Sequence, residues 1–486
     1  MNLDREACYE AVLARDRRFD GWFFVAVTST GIYCRPVCPV RAPKLTNCQF
    51  FPNAASAEHA GFRPCLRCRP ELAPGHGLLD VSPRLAQAAA ALIDGGFLNE
   101  ANLTALAARV GVSTRHLRRI FEAEFGVSPI DYAQTQRLLL AKRLLTDTAM
   151  SAAQIALTAG FGSVRRFNDL FSRRYGFSPA RLRKHRRDAL TDHTLVFELG
   201  YRPPFAWEAL LDCLTDHAVE GVERIAGRAY VRAVDIWHDG KHVTGWLQVE
   251  NLPARHALRV TLSASLSAVL PQLLARVRHF FDLDCRPDLI EARLGELAAM
   301  LPGIRVPGAF DGFEIAARAV ALRQWPQADG RQWLTRLAET FGRPVEHAPD
   351  GLHHAFPTAD AMAQVPPEML RATGLSARGA TLLLKLAQDM VERRVFLEPL
   401  TPLDETLAHL RHAIGFDEWS TQYIAMRALG WPNAFPAGEP LSAVNAAGAS
   451  GASAAALAEH ATRWAPWRAY AAQHLAFIHE EKANAA

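Results

Sequence analysis

The chain has 486 residues, 49% of them hydrophobic, and a formal net charge of +4 at pH 7. This length corresponds to about three domains at the usual ~150 residues each, and the apolar fraction is enough for several cores. We expect neither a membrane span nor a secretory signal, because no run approaches the ~20 apolar residues that a bilayer requires. Eight cysteines are few for this length, and Cys8, Cys48, Cys213 and Cys285 form no regular framework, which argues against a disulfide-stabilised secreted protein and predicts a cytoplasmic location.

Four cysteines stand in two closely spaced pairs, Cys34 with Cys38 and Cys65 with Cys68. Such spacings are typical of a tetrahedral Zn²⁺ site, so the sequence predicts one ion bound by all four side chains. Most sites of this kind are structural, but four thiolates around one Zn²⁺ leave a net charge of about −2 and make the sulfurs nucleophilic. The spacing alone leaves both interpretations open. Six basic residues lie nearby in the sequence: Arg35, Arg41, Lys44, Arg63, Arg67 and Arg69.

The residues around the cysteines favour a chemical role. Gly-Ile-Tyr-Cys-Arg-Pro at 31–36 and Phe-Arg-Pro-Cys-Leu-Arg-Cys-Arg-Pro at 62–70 resemble the amino-terminal domain of the bacterial adaptive-response (Ada) proteins. The resemblance covers about residues 4–75. It implies irreversible methyl transfer from a DNA methylphosphotriester to the cysteine after Gly-Ile-Tyr, which is Cys34. Methylation would remove one negative charge and thereby strengthen DNA binding. A regulator with purely structural zinc remains the alternative.

An internal repeat with an offset of fifty residues follows this segment. Its matched residues are Ser113 and Ser163, Phe121 and Phe171, Gly126 and Gly176, Ser128 and Ser178, and Pro129 and Pro179. The first copy predicts helices over 103–107 and 114–124 around a turn at 111–113; the second predicts helices over 152–158 and 164–175 around a turn at 160–163. This is the pattern of two helix-turn-helix motifs.

The two copies end in Phe-Gly-Val-Ser-Pro and Tyr-Gly-Phe-Ser-Pro, and residues 82–187 resemble the AraC-type DNA-binding domain. The resemblance implies DNA contact by Arg115, His116, Arg118 and Arg119 in the first recognition helix, and by Arg165, Arg166 and Asn168 in the second. Arginine reads guanine edges or only grips phosphate, so both roles remain open. The basic run between Arg165 and Arg187 is typical of phosphate binding, although a solvated helix face or charged linker is the alternative.

Two recognition helices in one chain can reach successive major-groove faces about 34 Å apart. We therefore expect double-stranded DNA as the partner of a monomer. RNA polymerase is expected as a further partner, and the nucleoid as the place of action.

Beyond residue 190 the pattern changes to strands, predicted over 195–201, 229–236, 243–249 and 258–262, followed by helices from 268 onward. Motifs such as Phe-Asp-Leu at 281–283 and Trp-Ala-Pro-Trp-Arg at 464–468 resemble the AlkA family of 3-methyladenine DNA glycosylases. Such enzymes flip a damaged base into an aromatic pocket, which here implies Trp419 and Tyr423 as pocket residues. A cationic alkylated purine would stack well on these rings. Ordinary core packing is the alternative for both.

Several motifs of this last segment depart from the family pattern. The position of the family's aspartate falls on Glu439, and because a misplacement of about 1 Å can cost ~10²-fold in rate, we expect reduced activity. The hairpin at 413–418 carries Asp417 and Glu418 where a phosphate would dock, and 446–453 is predicted to be a flexible loop. The lobe is therefore either a weakened glycosylase or an inactive domain that only binds DNA.

Together these patterns predict a multidomain, mainly α protein with α+β parts that responds to DNA alkylation damage. The expected domains are a small zinc-bound α+β domain at 1–80, an all-α double helix-turn-helix domain at 81–190, a β-containing lobe at 191–300 and a helical helix-hairpin-helix glycosylase-like lobe at 301–486.

Overall fold

A computed structural model describes residues 4–74, 84–148, 150–183, 194–438 and 454–484 of the chain. Two compact units are formed. The first comprises Met1–Pro203, His238–Lys241 and Leu252–Ala275, and the second comprises Pro204–Trp237, His242–Asn251 and Arg276–Ala486.

The amino-terminal part of the first unit is a small α+β module. Its elements are α1 (Arg5–Ala14), β1 (Phe24–Val27), β2 (Ile32–Cys34), β3 (Cys48–Phe51), α2 (Ala54–His59) and β4 (Arg63–Pro64). The strands form one sheet in the order β3-β1-β2-β4, with β1 antiparallel to β2 and β3, and β2 parallel to β4. Cys34 ends β2 and Cys65 directly follows β4, so this parallel pairing brings the two cysteine pairs together.

Eight helices follow: α3 (Arg84–Asp94), α4 (Phe97–Glu100), α5 (Leu103–Val110), α6 (Thr114–Phe125), α7 (Pro129–Asp147), α8 (Ala152–Thr158), α9 (Val164–Tyr175) and α10 (Pro179–Arg183). The two predicted helix-turn-helix motifs are confirmed, because α6 and α9 begin and end within one residue of the expected positions. Ser113 and Ser163 cap their amino termini through hydrogen bonds to the backbone N–H groups of His116 and Arg166. Each local sequence therefore specifies its own helix.

The remaining elements contain the four predicted strands. The strands are β5 (Thr194–Gly200), β6 (Glu223–Ala226), β7 (Ala229–His238), β8 (Lys241–Leu252) and β9 (Ala257–Ser263). In the first unit β5 pairs antiparallel with β9, and in the second β6 pairs antiparallel with β7. The intervening and following helices are α11 (Trp207–His217), α12 (Leu270–Phe280), α13 (Pro287–Leu294), α14 (Glu296–Ala299), α15 (Gly312–Gln324), α16 (Gln327–Phe341), α17 (Ala359–Met362), α18 (Pro367–Ala372), α19 (Ala377–Val391), α20 (Leu403–Ala408), α21 (Glu418–Arg427), α22 (Ala454–His460) and α23 (Arg468–Asn484).

The main core of the second unit lies among these helices. Phe313 of α15, Trp333 of α16 and Leu383 of α19 are fully buried in it, and α21 contributes Ile424. The expected fold class, mainly α with α+β parts, is confirmed. The core places α21 and the end of α15 beside each other, which positions the aromatic residues discussed below.

Candidate functional sites: a thiolate cluster, recognition helices and an aromatic pair

The four predicted zinc ligands lie together. The sulfurs of Cys34, Cys38, Cys65 and Cys68 are all within 4.8 Å of one another, and all four side chains are buried. Tetrahedral coordination with Zn–S bonds of about 2.3 Å separates sulfurs by about 3.8 Å, so the cluster has the size that Zn²⁺ requires. An all-sulfur tetrahedral donor set is typical of Zn²⁺ or iron–sulfur centres and not of ions such as Mg²⁺ or Ca²⁺, which prefer oxygen ligands.

Backbone N–H groups distinguish the four sulfurs. The N–H of Arg35 donates to Cys68 Sγ and that of Arg67 donates to Cys65 Sγ, each at 3.4 Å. The sulfur of Cys38 accepts from the backbone N–H of Val40. Within the described residues no backbone N–H reaches Cys34 Sγ. Because hydrogen bonds withdraw electron density from a thiolate, a sulfur with fewer such donors keeps more of its nucleophilicity.

The six basic residues near the cysteines divide into two groups. Arg35 pairs with Asp20 through an Nε–Oδ1 hydrogen bond of 2.8 Å, and Arg69 pairs with Asp147 of α7 at 2.7 Å. These two guanidinium groups are already neutralised by carboxylates of the same chain. The other four side chains are exposed and can meet a phosphate: Arg41, Lys44, Arg63 and Arg67.

Buried charges join the small module to the helices. Glu58 of α2 is fully buried, and its carboxylate accepts a hydrogen bond of 3.0 Å from Tyr33, while Arg174 of α9 donates to its backbone oxygen. Burial raises the pKa of Glu58 to about 7, although Arg174 opposes the shift. A second buried pair joins Glu71 to Lys142 of α7 at 2.7 Å. The module and the helices therefore share one charged interface.

The predicted DNA-contact residues lie on the outer faces of α6 and α9. Leu117, Phe121, Phe167 and Phe171 bury the opposite faces of these helices. Of the predicted set His116 is partly buried and hydrogen-bonds Arg119 at 3.1 Å, and the rest are exposed: Arg115, Arg118, Arg119, Arg165, Arg166 and Asn168. In the basic run Arg174 is turned towards Glu58 instead, and 184–187 lie outside the described residues.

Trp419 and Tyr423 form a stacked pair on α21. Their ring centroids are 5.2 Å apart with an interplanar angle of 10°, and the residues are 8% and 6% exposed. The predicted partner in catalysis, Glu439, and the predicted flexible loop at 446–453 lie outside the described residues.

A guanidinium that the sequence analysis missed lies at the same pair. The Cζ atom of Arg323, at the end of α15, lies 5.7 Å from the centroid of the Trp419 ring, and Arg323 pairs with Asp417 at 2.9 Å. Asp417 also caps α21 by accepting a hydrogen bond of 2.8 Å from the N–H of Ser420. Since 94 residues separate Arg323 from Asp417, no local pattern could have indicated this contact.

The hairpin before α21 turns at a glycine, and its carboxylates are paired. Gly415 has a φ of +102°, which favours glycine, and Glu418 pairs with Arg411 at 3.1 Å. Asp417 pairs with Arg323 in the same way. The two carboxylates that were expected to obstruct a phosphate, those of Asp417 and Glu418, are therefore each paired with an arginine.

Three family models match separate parts of the chain. The metal binding domain of Ada matches residues 7–71, a helix-turn-helix domain matches 106–185, and the AlkA N-terminal domain matches 196–311. No helix among the described residues is long and apolar enough to cross a membrane.

Similar proteins extend these matches to the whole length. The chain is 35% identical over all of its residues, and over 98% of the relative, to the "Probable bifunctional transcriptional activator/DNA repair enzyme AlkA" of Mycobacterium tuberculosis. It is 30% identical to DNA-3-methyladenine glycosylase 2 of Escherichia coli, over 58% of this chain and 96% of that protein. It is 40% identical to the bifunctional transcriptional activator/DNA repair enzyme Ada of Escherichia coli, over 32% of this chain and 42% of that one.

Proposed function

This chain belongs to the family of bifunctional Ada- and AlkA-type transcriptional activators and DNA repair enzymes, and we propose how its residues divide that work. Residues 1–80 accept a methyl group, residues 81–190 read DNA, and residues 191–300 and 301–486 together form the glycosylase lobe. The protein binds one Zn²⁺ through its cysteines, and it binds DNA.

Cys34 is the proposed methyl acceptor. Bound Zn²⁺ keeps the thiol deprotonated at neutral pH. The sulfur of Cys34 attacks the methyl carbon of a DNA methylphosphotriester, a C–S bond forms, the methyl C–O bond breaks, and the phosphodiester leaves as an anion. No proton is transferred, so no separate base is needed. The observation that supports this assignment is the lack of a backbone N–H donor to the Cys34 sulfur within the described residues, whereas each of the other three sulfurs accepts one.

Methylation changes the charge that faces DNA. A thiolate becomes a neutral thioether, so the cluster loses one negative charge, while the exposed Arg41, Lys44, Arg63 and Arg67 stay cationic. The repaired module therefore repels phosphate less and binds DNA more tightly. The module and α9 share the buried Glu58 interface. A gain in the DNA affinity of the module therefore also holds the recognition helices on the promoter.

A label-transfer experiment tests Cys34. The full-length protein and its Cys34→Ser and Cys48→Ser variants are incubated with duplex DNA that carries ¹⁴C-methylphosphotriesters. Cys48 is buried in the same module but lies outside the cluster, so it is a matched control. We expect one label per parent and per Cys48→Ser chain, in the peptide containing Cys34, and none in zinc-loaded Cys34→Ser. Label uptake by Cys34→Ser at the parent's level would contradict the assignment.

The protein binds specific DNA sequences as a monomer through the recognition helices α6 and α9. RNA polymerase is its proposed partner at the promoter, and the nucleoid is its proposed location. Support comes from their exposed arginines, which lie on the faces opposite the buried phenylalanines. Arg115, His116, Arg118, Arg119, Arg165, Arg166 and Asn168 are the proposed contacts.

The last two segments are proposed to release alkylated purines, with Trp419 and Tyr423 in the base pocket and Glu439 stabilising the oxocarbenium-like sugar. The two rings stack on each other on α21, and the part of the Trp419 ring that Tyr423 does not cover is the surface proposed to receive the base. Release of free 3-methyladenine from alkylated duplex DNA is measured for the parent, Glu439→Ala and Glu439→Asp. We expect weak activity in the parent, a loss of at least ~10²-fold in Glu439→Ala, and activity above the parent's in Glu439→Asp. Absence of release from all three would contradict the catalytic role and leave a DNA-binding lobe.

A further inference from the structure

The aromatic pair on α21 is already covered by a cation. Tyr423 stacks on Trp419, and the guanidinium of Arg323 lies over the Trp419 ring, while Trp419 is only 8% exposed. Asp417, whose carboxylate bonds Arg323, holds the guanidinium there. The side chain of Arg323 is itself 49% exposed, so it has room to move into solvent.

We propose that Arg323 is a specificity-determining residue of the glycosylase lobe, a tethered competitor that disfavours cationic alkylated purines relative to neutral damaged purines. This inference rests on the proposed base pocket and concerns how that pocket ranks its substrates, because Arg323 reduces the advantage that the aromatic rings give to cationic bases. Tyr423 stacks on Trp419 and Arg323 lies within cation–π distance of the same ring, so an incoming base that stacks on Trp419 competes with Arg323.

The competition is stronger for a cationic base than for a neutral one. A cationic base uses the same two attractions that hold Arg323, namely the electron-rich ring and the Asp417 carboxylate. It is also repelled by the guanidinium, which stays charged at every physiological pH. A neutral purine lacks that repulsion, and it can stack against a guanidinium plane. Removing the charge at position 323 must therefore increase the binding of cationic bases in the pocket more than that of neutral bases.

The experiment measures base flipping without relying on hydrolysis. The full-length parent, Arg323→Gln and Arg411→Gln are each saturated with duplexes containing one 2′-fluoro nucleotide, which blocks cleavage. The base is either 7-methylguanine, which is cationic, or neutral hypoxanthine, with 2-aminopurine beside it to report loss of stacking by fluorescence. Arg411 is the matched control because it pairs with Glu418 of the same hairpin. Release from unblocked duplexes is measured in parallel.

We expect Arg323→Gln to raise the flipping of 7-methylguanine relative to hypoxanthine about tenfold, the size of one cation–π and charge-pair contact, and Arg411→Gln to leave that ratio unchanged. An unchanged ratio in Arg323→Gln, an equal rise in both variants, or no flipping of either base overturns the inference. Flipping with the expected ratio but without release from unblocked DNA contradicts the proposed hydrolysis alone and supports the role of Arg323.

Discussion

The phenol of Tyr33 donates a hydrogen bond of 3.0 Å to Glu58, and Tyr33 directly precedes Cys34 in β2. The carbonyl of Tyr33 also accepts the N–H of Cys65, a second cysteine of the cluster, at 3.0 Å. Because Glu58 contacts Arg174 at the end of α9, a continuous set of contacts runs from the thiolate cluster to the second recognition helix. Two residues, Tyr33 and Glu58, thus connect Cys34 to Arg174 of α9.

Glu58 predicts a specific pH dependence of stability. Burial raises its pKa from 4.5 in the unfolded chain to about 7 in the fold, so between these values the folded state binds a proton that the unfolded state has lost. Stability contributed by the protonated carboxyl is therefore full below pH 4.5 and falls as pH rises towards 7, by about 3 kcal/mol in total. Urea unfolding of the full chain at pH 5 and pH 8 measures it, with Glu58→Gln expected to lose this part of the slope.

The exposed Glu10 on α1 provides the control for this measurement. Glu10→Gln should show the same pH slope as the parent. Equal slopes in the parent and Glu58→Gln would show that the fold does not hold the proton on Glu58.

Lys142 and Glu71 form a buried ion pair, so the effect of replacing one of them on stability depends on whether the other is present. Their side chains are 2% and 4% exposed, and Arg69 is a second partner of Glu71. Lys142→Met leaves the carboxylate only partly compensated, so we expect a loss of about 2–4 kcal/mol in the free energy of unfolding. Adding Glu71→Leu should restore part of it. The exposed pair Arg228–Glu208 is the comparison, and Arg228→Ala should cost less than about 1 kcal/mol. Additive effects of the two buried substitutions would contradict the coupling.

Zinc removal should unfold the amino-terminal module. The four ligand cysteines make up much of its core, beside Phe23 and Val25, so chelation leaves thiolates without their counter-charge. We expect one Zn²⁺ per chain by atomic absorption, and rapid proteolysis within 4–74 after chelation. Cys38→Ser should bind zinc at least tenfold more weakly, whereas Cys48→Ser should bind it like the parent. Full zinc affinity in Cys38→Ser would exclude it as a ligand.

The salt dependence of DNA binding should identify the arginines that contact phosphate. Each lost phosphate contact reduces the slope of log K against log[salt] by about 1. We expect this reduction for Arg118→Ala and for Arg165→Ala, whose side chains are exposed on α6 and α9. Arg228→Ala, in the turn between β6 and β7, serves as the control and should leave the slope unchanged. Weaker binding to one sequence with an unchanged slope would instead indicate a base-specific contact.

Local sequence patterns predicted several elements closely. The helix of residues 164–175 was expected and observed with the same ends, because Ser163 caps one end and Gly176 adopts a φ of +75° at the other. The strand β5 follows a period-two pattern of buried and half-buried residues, whereas β7 is a continuously buried run, and the zinc ligands needed only their spacing. Such signals act between residues that are near each other in the chain.

Long-range pairing could not be predicted in this way. Six basic residues near the cysteines look equivalent in sequence, yet Arg35 and Arg69 are paired with Asp20 and Asp147, and Arg174 is turned from the DNA-reading face to Glu58. By itself the sequence determined the family, the metal ligands and the two helix-turn-helix motifs, because caps, glycines and cysteine spacings act locally. Only the tertiary structure decided which charges remain free for DNA, and that Arg323 lies over Trp419, because an ion pair or a stacking contact depends on where distant segments meet.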